Sequence, residues 1–419
     1  MDKRLNVLIK KEVERQELTI DLIPSENIAS PEMLKILGSP LVNKYSEGYP
    51  GRRYYPGNEF YDEIERLAQE RALNAFKLSP KNWAVNVQPY SGSPANLEIY
   101  FALIKPGDTI MGLSLAHGGH LTHGHLVNFS GILYKSQPYG LNLKTGYIDY
   151  KNLEKLARQH RPKIIVSGAT AYPRTIDFKR IGKIARSVGA YHVADISHIA
   201  GLVAAGAHSS PFSAGGGQAP ADAVMATTHK TLRGPRGAVI WVNRESPIAK
   251  RNKIDIATAV DKAVFPGLQG GPHNNTTAAI AWTFGEVATP KFRVYARQIV
   301  KNTKVLASEL KKFGFNLVSG GTDNHLMLVD LRNKNITGLE AEKLLESAGI
   351  IANRNAVPGD DKPFKPSGIR IGTPSVTSRG MKEKEMKHIG EFIYRCLIKR
   401  KDIDKEVVRI CKRFPLPYK

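Results

Sequence analysis

The chain of 419 residues is too long for one small hydrophobic core, and its 42% hydrophobic and 24% charged residues exclude a disordered or fibrous protein. A formal charge of +23 admits polyanionic partners, nucleic acid among them. The excess is spread out, however: residues 381–419 carry 12 Lys and Arg against 6 Asp and Glu, interleaved with Ile, Val and Phe as on a solvated helix face.

The opening MDKRLNVLIKKEVERQE is a charged amphipathic pattern without a signal-peptide core, and residues 1–25 are expected as an N-terminal arm. In EIERLAQERALNAF (63–76), Ile64, Leu67, Ala68, Ala72, Ala75 and Phe76 recur at three-and-four spacing, which predicts a helix packed on a sheet. YSGSPAN (90–96), rich in Ser and Gly, runs into the helical LEIYFALI and offers amides and hydroxyls at a helix N-terminus, where an anion can sit. Apolar runs at 108–113, 163–168, 191–195, 222–227 and 237–242 predict buried strands. Helical patterns at 151–160 and 178–189 lie between them, the second ended by Gly189. This alternation predicts an α/β fold with a mostly parallel sheet covered on both faces. FPGLQGGPHNN (265–275) reads as a hinge. Beyond it, a long helix to Gly314, the runs FNLVSGG and NHLMLVDL and the helix GLEAEKLLESAG predict a smaller α/β domain with an antiparallel sheet. The expected boundaries are an arm (1–25), a large domain (26–275) and a small C-terminal domain (276–419).

No apolar run reaches the ~20 residues that a bilayer requires. The two cysteines, Cys396 and Cys411, form neither a disulfide framework nor a CxxC motif, so a reducing, cytoplasmic setting is expected. No GxxxxGK[ST], HExxH or strand-linked GxGxxG occurs, which removes the sequence support for nucleotide hydrolysis, zinc proteolysis and dinucleotide redox chemistry. HGGHLTHGH places His117, His120, His123 and His125 together, but no carboxylate or thiolate stands at ligand spacing, and no metal site is expected.

Ligands of parallel α/β sheets collect at the carboxyl ends of strands. The strand at 191–195 ends on Asp195, followed by His198, and the strand at 222–227 runs into TTHKTLRGPRG (227–237), which delivers Lys230. Taken singly, Asp195, Ser91 and Ser93 read as helix caps, and the lysine loop as a solvated basic turn. Taken together, a phosphate cradle, an acid and an amine at neighbouring strand ends are what pyridoxal phosphate needs: a lysine to hold its aldehyde and an acid to keep its ring nitrogen protonated.

IPSENIAS, NKYSEGYPGRRYY, LAHGGHLTHG, TTHKTLRGPRG, FPGLQGGPHN, VSGGTDNHL and SGIRIGTP follow one another in this order. With them, the chain resembles the serine hydroxymethyltransferase family over essentially its full length. The resemblance implies an aspartate aminotransferase-like, fold-type I enzyme that interconverts serine and tetrahydrofolate with glycine and 5,10-methylenetetrahydrofolate. It also implies residue roles. Lys230 would carry pyridoxal phosphate as a Schiff base, Asp195 pair with the ring nitrogen, His120 stack on the ring and His198 contact its phenolic side. Gly92 and Ser93 would bind the phosphate, with Tyr45, Gly270 and Gly271 supplied by the second subunit of a homodimer, a tetramer being left open. Thr170, Thr227 and His229 complete the cofactor pocket. Arg370 would bind the substrate carboxylate, with Ser25 and Tyr55 in the same pocket and Glu47 transferring the proton. Leu115, Gly119, His120, Leu121, Asn355, Lys362, Pro363 and Phe364 match the folate surface. Pro94, Ala226, Thr170 and Asn275 depart from the family's usual residues; Thr170 keeps the hydroxyl of the usual serine. A threonine aldolase or aminotransferase of the same fold is the nearest rival reading, and neither needs LAHGGHLTHG. A nucleic-acid-binding protein is the rival from another class.

Overall fold

The computed structural model describes residues 2–212, 219–360 and 365–418. The five apolar runs all form strands of a seven-stranded sheet ordered Trp83–Asn86, Ala238–Asn243, Ala223–Thr227, Tyr191–Asp195, Ile164–Ser167, Thr109–Met111, Lys135–Ser136. The last five are mutually parallel, and Ala238–Asn243 runs antiparallel to both neighbours. Ile164–Ser167, Tyr191–Asp195, Ala223–Thr227 and Ala238–Asn243 are buried at every position, as a sheet covered on both faces requires. Reading the sequence misses the two edge strands. Lys135–Ser136 is two residues long with an exposed lysine, so it carries no apolar signal.

The chain divides into two compact units, one of residues 1–30, 171–174 and 297–419, the other of residues 31–170 and 175–296. The hinge segment 265–275 lies inside the second unit, which also holds the seven-stranded sheet. The first unit has a four-stranded antiparallel sheet ordered Asn316–Leu317, Leu326–Asp330, Gly368–Gly372, Asn353–Asn355. In the same unit Ile20–Asp21 pairs in parallel with Ile350–Ile351, and the Arg379 guanidinium donates to carbonyls of Gln16, Glu17, Thr19, Cys411 and Phe414. Cys396 and Cys411 are both buried and unpaired. Among the described residues, no helix is long and apolar enough to cross a membrane.

The helix Glu59–Ala75 forms where its periodicity predicts, but its buried face is displaced. Asp62 and Glu65 are buried with Ala68, Ala72 and Ala75, while Leu67 is exposed. The cause is Arg53, whose guanidinium lies 2.8 Å from Asp62 and 2.6 Å from Glu65, and which also donates to the carbonyls of Ser46 and Gly48. Buried carboxylates require such a counter-charge, so the side of the helix that faces Arg53 is the side on which Asp62 and Glu65 can be enclosed.

The helix Gly92–Leu103 buries a further carboxylate, Glu98, which is fully enclosed and has no hydrogen-bond partner for either oxygen among the described residues. Burial pushes its carboxyl up from 4.5 to about 8. An acid with a raised folded pKa costs nothing below its unfolded value and destabilises progressively as pH rises toward the folded one. Glu98→Gln is therefore expected to raise the melting temperature at pH 8 and to change it little at pH 5. Equal shifts at the two pH values would contradict this account.

Candidate functional site

Tyr191–Asp195 and Ala223–Thr227 are adjacent and parallel, with Asp195 opposite Met225, so both chains leave the sheet at the same edge. Their ends meet the start of the helix Gly92–Leu103, the histidine run and the loop after Ile164–Ser167. One pocket results, lined by Gly92, His120, His123, Ala169, Thr170, Asp195, Ser197, His198, Thr227 and Lys230. Seven of the residues singled out for a cofactor share this lining, from segments as far apart as Gly92 and Lys230. His198 is buried, and its carbonyl accepts the Thr231 hydroxyl at 2.9 Å. The Thr170 hydroxyl donates to the Gly119 carbonyl at 2.9 Å, tying this loop to the histidine run.

Asp195 is 8% exposed and accepts three hydrogen bonds: from the Ser197 amide on Oδ1 at 3.0 Å, and from His123 Nε2 and Asn96 Nδ2 on Oδ2, each at 3.1 Å. Burial alone would push its carboxyl up. The hydrogen bond from His123 and the neighbouring imidazoles outweigh that and hold it far below the usual carboxylate range. An ionised carboxylate is thus fixed at the pocket floor at any ordinary pH. His123, Asn96 and Ser197 were not picked out as site residues. His123 carried a signal, standing in the histidine run; Asn96 had none beyond its place in YSGSPAN.

Opposite Asp195 lies a cradle suited to an anion. Ser91 sits at the N-cap of Gly92–Leu103 without a side-chain cap bond, so the first-turn amides are not satisfied by it. Ser93, in that first turn, is exposed. Only glycine fits at position 92: a Cβ there would come within 2.6 Å of Thr227 Cγ2. Thr227 Oγ1 and His229 Nδ1 are buried with no partner among the described residues. Burial, with the Lys230 and Arg236 charges beside it, lowers His229 to about 3 and keeps it neutral. An orphaned hydroxyl, helix amides, an ionised acid and a lysine fit the phosphate, ring nitrogen and aldehyde of pyridoxal phosphate. Arg233, in the same loop as Lys230, stacks its guanidinium on Tyr295, 4.8 Å from the ring centroid.

A second group of expected site residues lies outside that lining. The Tyr45 hydroxyl donates to Glu47 Oε1 at 3.2 Å, and the Tyr45 and Tyr55 rings meet edge to face at 5.1 Å. Gly270 and Gly271 pack against them, since a Cβ at either would lie 3.2 Å from Glu47 Oε1 or the Tyr45 ring. Tyr90 donates to the Gly271 carbonyl at 2.7 Å. Tyr45 and Tyr55 remain 52% and 43% exposed. Leu115 and Leu121 open two short turns of the histidine run and are likewise exposed.

Arg370, Ser25 and Asn355 belong to the other compact unit. Arg370 lies mid-strand in Gly368–Gly372, donates from Nε to Asn353 Oδ1 at 3.1 Å and is lowered to about 10 by burial, with Glu26 opposing. Ser25 is half-buried, and the Asn355 side chain donates to the carbonyl of Ala356. Lys362, Pro363 and Phe364 lie outside the described residues.

The fold also supplies what the histidine run lacked in sequence. Asp195 joins His120 and His123, with their ligand atoms within 4.8 Å of one another. The absence of a nearby carboxylate, argued above from spacing, therefore does not hold in three dimensions, because Asp195 arrives from a strand 72 residues from His123. In this arrangement the carboxylate is already engaged by His123 and Asn96. A family model described as serine hydroxymethyltransferase matches residues 1–393. The chain thus belongs to the serine hydroxymethyltransferase family, fold-type I transferases that use pyridoxal phosphate and tetrahydrofolate to interconvert serine and glycine.

Proposed function

We propose that the reaction runs in the pocket beneath Lys230, with the residue roles that the sequence implies, and that a second subunit completes it. The observation that carries this reading is Asp195: a buried carboxylate held ionised by His123, Asn96 and Ser197, in one pocket with Lys230 and Gly92. When bound there, pyridoxal phosphate supplies an electron sink that lets the Cα–Cβ bond of serine break.

The chain's own residues do the rest. Lys230 anchors the cofactor, and Gly92, Ser93 and Thr227 receive its phosphate. Asp195 holds the ring-nitrogen proton, because an adjacent anion raises that nitrogen's pKa. His120 covers one face, while Thr170 and His198 border the phenolic edge. Arg370 binds the substrate carboxylate, for which a planar guanidinium is better shaped than an ammonium, with Ser25 beside it. Glu47, bonded to Tyr45 and near Tyr55, moves the proton of the hydroxymethyl group. Leu115, Gly119, Leu121 and Asn355, with residues 362–364, take the folate.

A homodimer with a shared site is supported by two features. Tyr45, Glu47, Tyr55, Gly270 and Gly271 form their own half-exposed cluster outside the lining of the Lys230 pocket. The first helix, Lys3–Leu18, buries none of its residues and exposes Leu5, Val7, Leu8, Ile9 and Val13, an apolar face that a second copy would cover. Two buried, unpaired cysteines suit a cytoplasmic enzyme.

The test is complementation. Lys230→Ala and Glu47→Gln proteins, each inactive, are unfolded and refolded together in equal amounts with the cofactor and assayed for tetrahydrofolate-dependent conversion of serine to glycine. Half of the dimers are then mixed, each with one intact site, and about a quarter of wild-type activity should return. Activity no greater than the sum of the separate variants would place the whole site within one chain.

A further inference from the structure

The floor of the Lys230 pocket contains a chain of hydrogen bonds whose directions can be fixed one after another. Asn96, on the helix Gly92–Leu103, is fully buried, with Nδ2 3.1 Å from Asp195 Oδ2 and 2.8 Å from Thr122 Oγ1. An ionised carboxylate only accepts, so the edge of Asn96 that faces Asp195 must be its NH2 group. The second hydrogen of that group then goes to Thr122 Oγ1. The Thr122 hydroxyl, itself fully buried, accepts from Asn96 and gives its own proton to His120 Nδ1, 2.7 Å away, a direction fixed by the second donor to that nitrogen. The Thr122 amide points to the same nitrogen at 3.2 Å. A ring nitrogen that receives two donors carries no hydrogen. Burial and the neighbouring His123 hold His120 near 4, so the ring is neutral and its single proton sits on Nε2. Nε2 has no partner among the described residues, and the ring lines the pocket.

We propose that Asn96 is a positioning residue which, acting through Thr122, locks His120 as the Nε2–H tautomer, so that the free edge of His120 can only donate a hydrogen bond. The chemistry that such an edge selects is an oxygen of the bound ligand that carries or develops negative charge. His120 then takes up no proton during the reaction, and proton traffic is left to Glu47 and Lys230. The catalytic consequence rests on the reading above that His120 faces the cofactor and substrate. The tautomer rests on the hydrogen bonds alone.

The experiment uses the holoenzyme with 15N-labelled histidine, wild type beside Asn96→Ala, Thr122→Val and Thr122→Ser, the His120 signals being assigned by their loss in His120→Gln. In the wild type, Nδ1 should resonate as an unprotonated nitrogen and Nε2 as a protonated one. In Asn96→Ala and Thr122→Val the two signals should move toward each other as both tautomers become populated, and kcat should fall by about tenfold or more with cofactor content and the KM for serine little changed. Thr122→Ser, which keeps the hydroxyl, should restore both readouts. A purely structural role for Thr122 would lower melting temperature and cofactor content without moving the ring signals. A protonated Nδ1 in the wild type, or His120 signals identical in all four proteins, overturns the proposal. Should Asn96→Ala fail to fold, the Thr122→Val and Thr122→Ser pair decides it. If the ring signals move as expected but kcat does not, the donor edge has no part in turnover and the catalytic half of the proposal falls. Failure of the site reading itself would appear elsewhere, as a His120→Gln enzyme with unchanged kinetics.

Discussion

Lys230→Ala should retain pyridoxal phosphate without a covalent link and lose turnover of serine by a factor of roughly 10^2 to 10^4. Binding should persist because the groups proposed to hold the cofactor lie elsewhere: the Gly92 helix start, the orphaned Thr227 hydroxyl and the ionised Asp195. Turnover should not, because no other group in the lining can replace the amine. His120 and His123 are engaged with Thr122 and Asp195, and burial keeps the neighbouring His229 too weakly basic, at about 3. The check is the visible spectrum and cofactor content of the purified variant, together with tetrahydrofolate-dependent glycine formation. A variant with full folate-dependent activity would remove Lys230 from the chemistry. A variant that binds no cofactor at all would mean that the cradle contributes less than its geometry suggests.

Arg53→Met should destabilise the protein by about 3 to 5 kcal/mol, the cost of leaving buried carboxylates without their counter-ion. The side chains of Arg53, Asp62 and Glu65 are 5%, 12% and 3% exposed, so water cannot take over the solvation of the two anions. Burial already pushes Glu65 up, with Arg53 pulling it back; without the guanidinium it rises further. A raised folded pKa costs more stability as pH climbs above the unfolded value, so the deficit should be large at pH 8 and smaller near pH 5. Arg53 also holds the carbonyls of Ser46 and Gly48, on either side of Glu47. The variant should therefore lose kcat even where it remains folded. Adding Glu65→Leu should recover part of the stability but not the kcat. Urea unfolding at the two pH values and steady-state kinetics read these effects separately; a loss of stability below ~1 kcal/mol would show that the network is solvated in solution.

Lys230 and Arg53 differ in how much of their role is written in the neighbouring sequence. Lys230 was legible because a buried strand writes itself as an apolar run, and whatever follows such a run in a parallel sheet emerges at the ligand edge. Arg53 was not. In NKYSEGYPGRRYY it is one of two adjacent arginines, and nothing local distinguishes the one that turns inward and draws Asp62 and Glu65 into the buried face of Glu59–Ala75. The same limit explains the missed strand Lys135–Ser136, which pairs with Thr109–Met111 through backbone groups and needs no apolar side chains.

The sequence by itself determined the five interior strands, the helices between them, the lysine and acid at neighbouring strand ends, and the family. These are local patterns of burial, turn chemistry and ordered motifs, each complete within a few residues. Only the tertiary structure decided how Asp195 is charged and how His120 is protonated. Asn96 reaches Asp195 across 99 residues of chain and His123 across 72, and a hydrogen-bond direction depends on every donor and acceptor around an atom at once. Order along the chain does not encode that environment; packing the helix Gly92–Leu103 and the histidine run onto the end of one strand creates it.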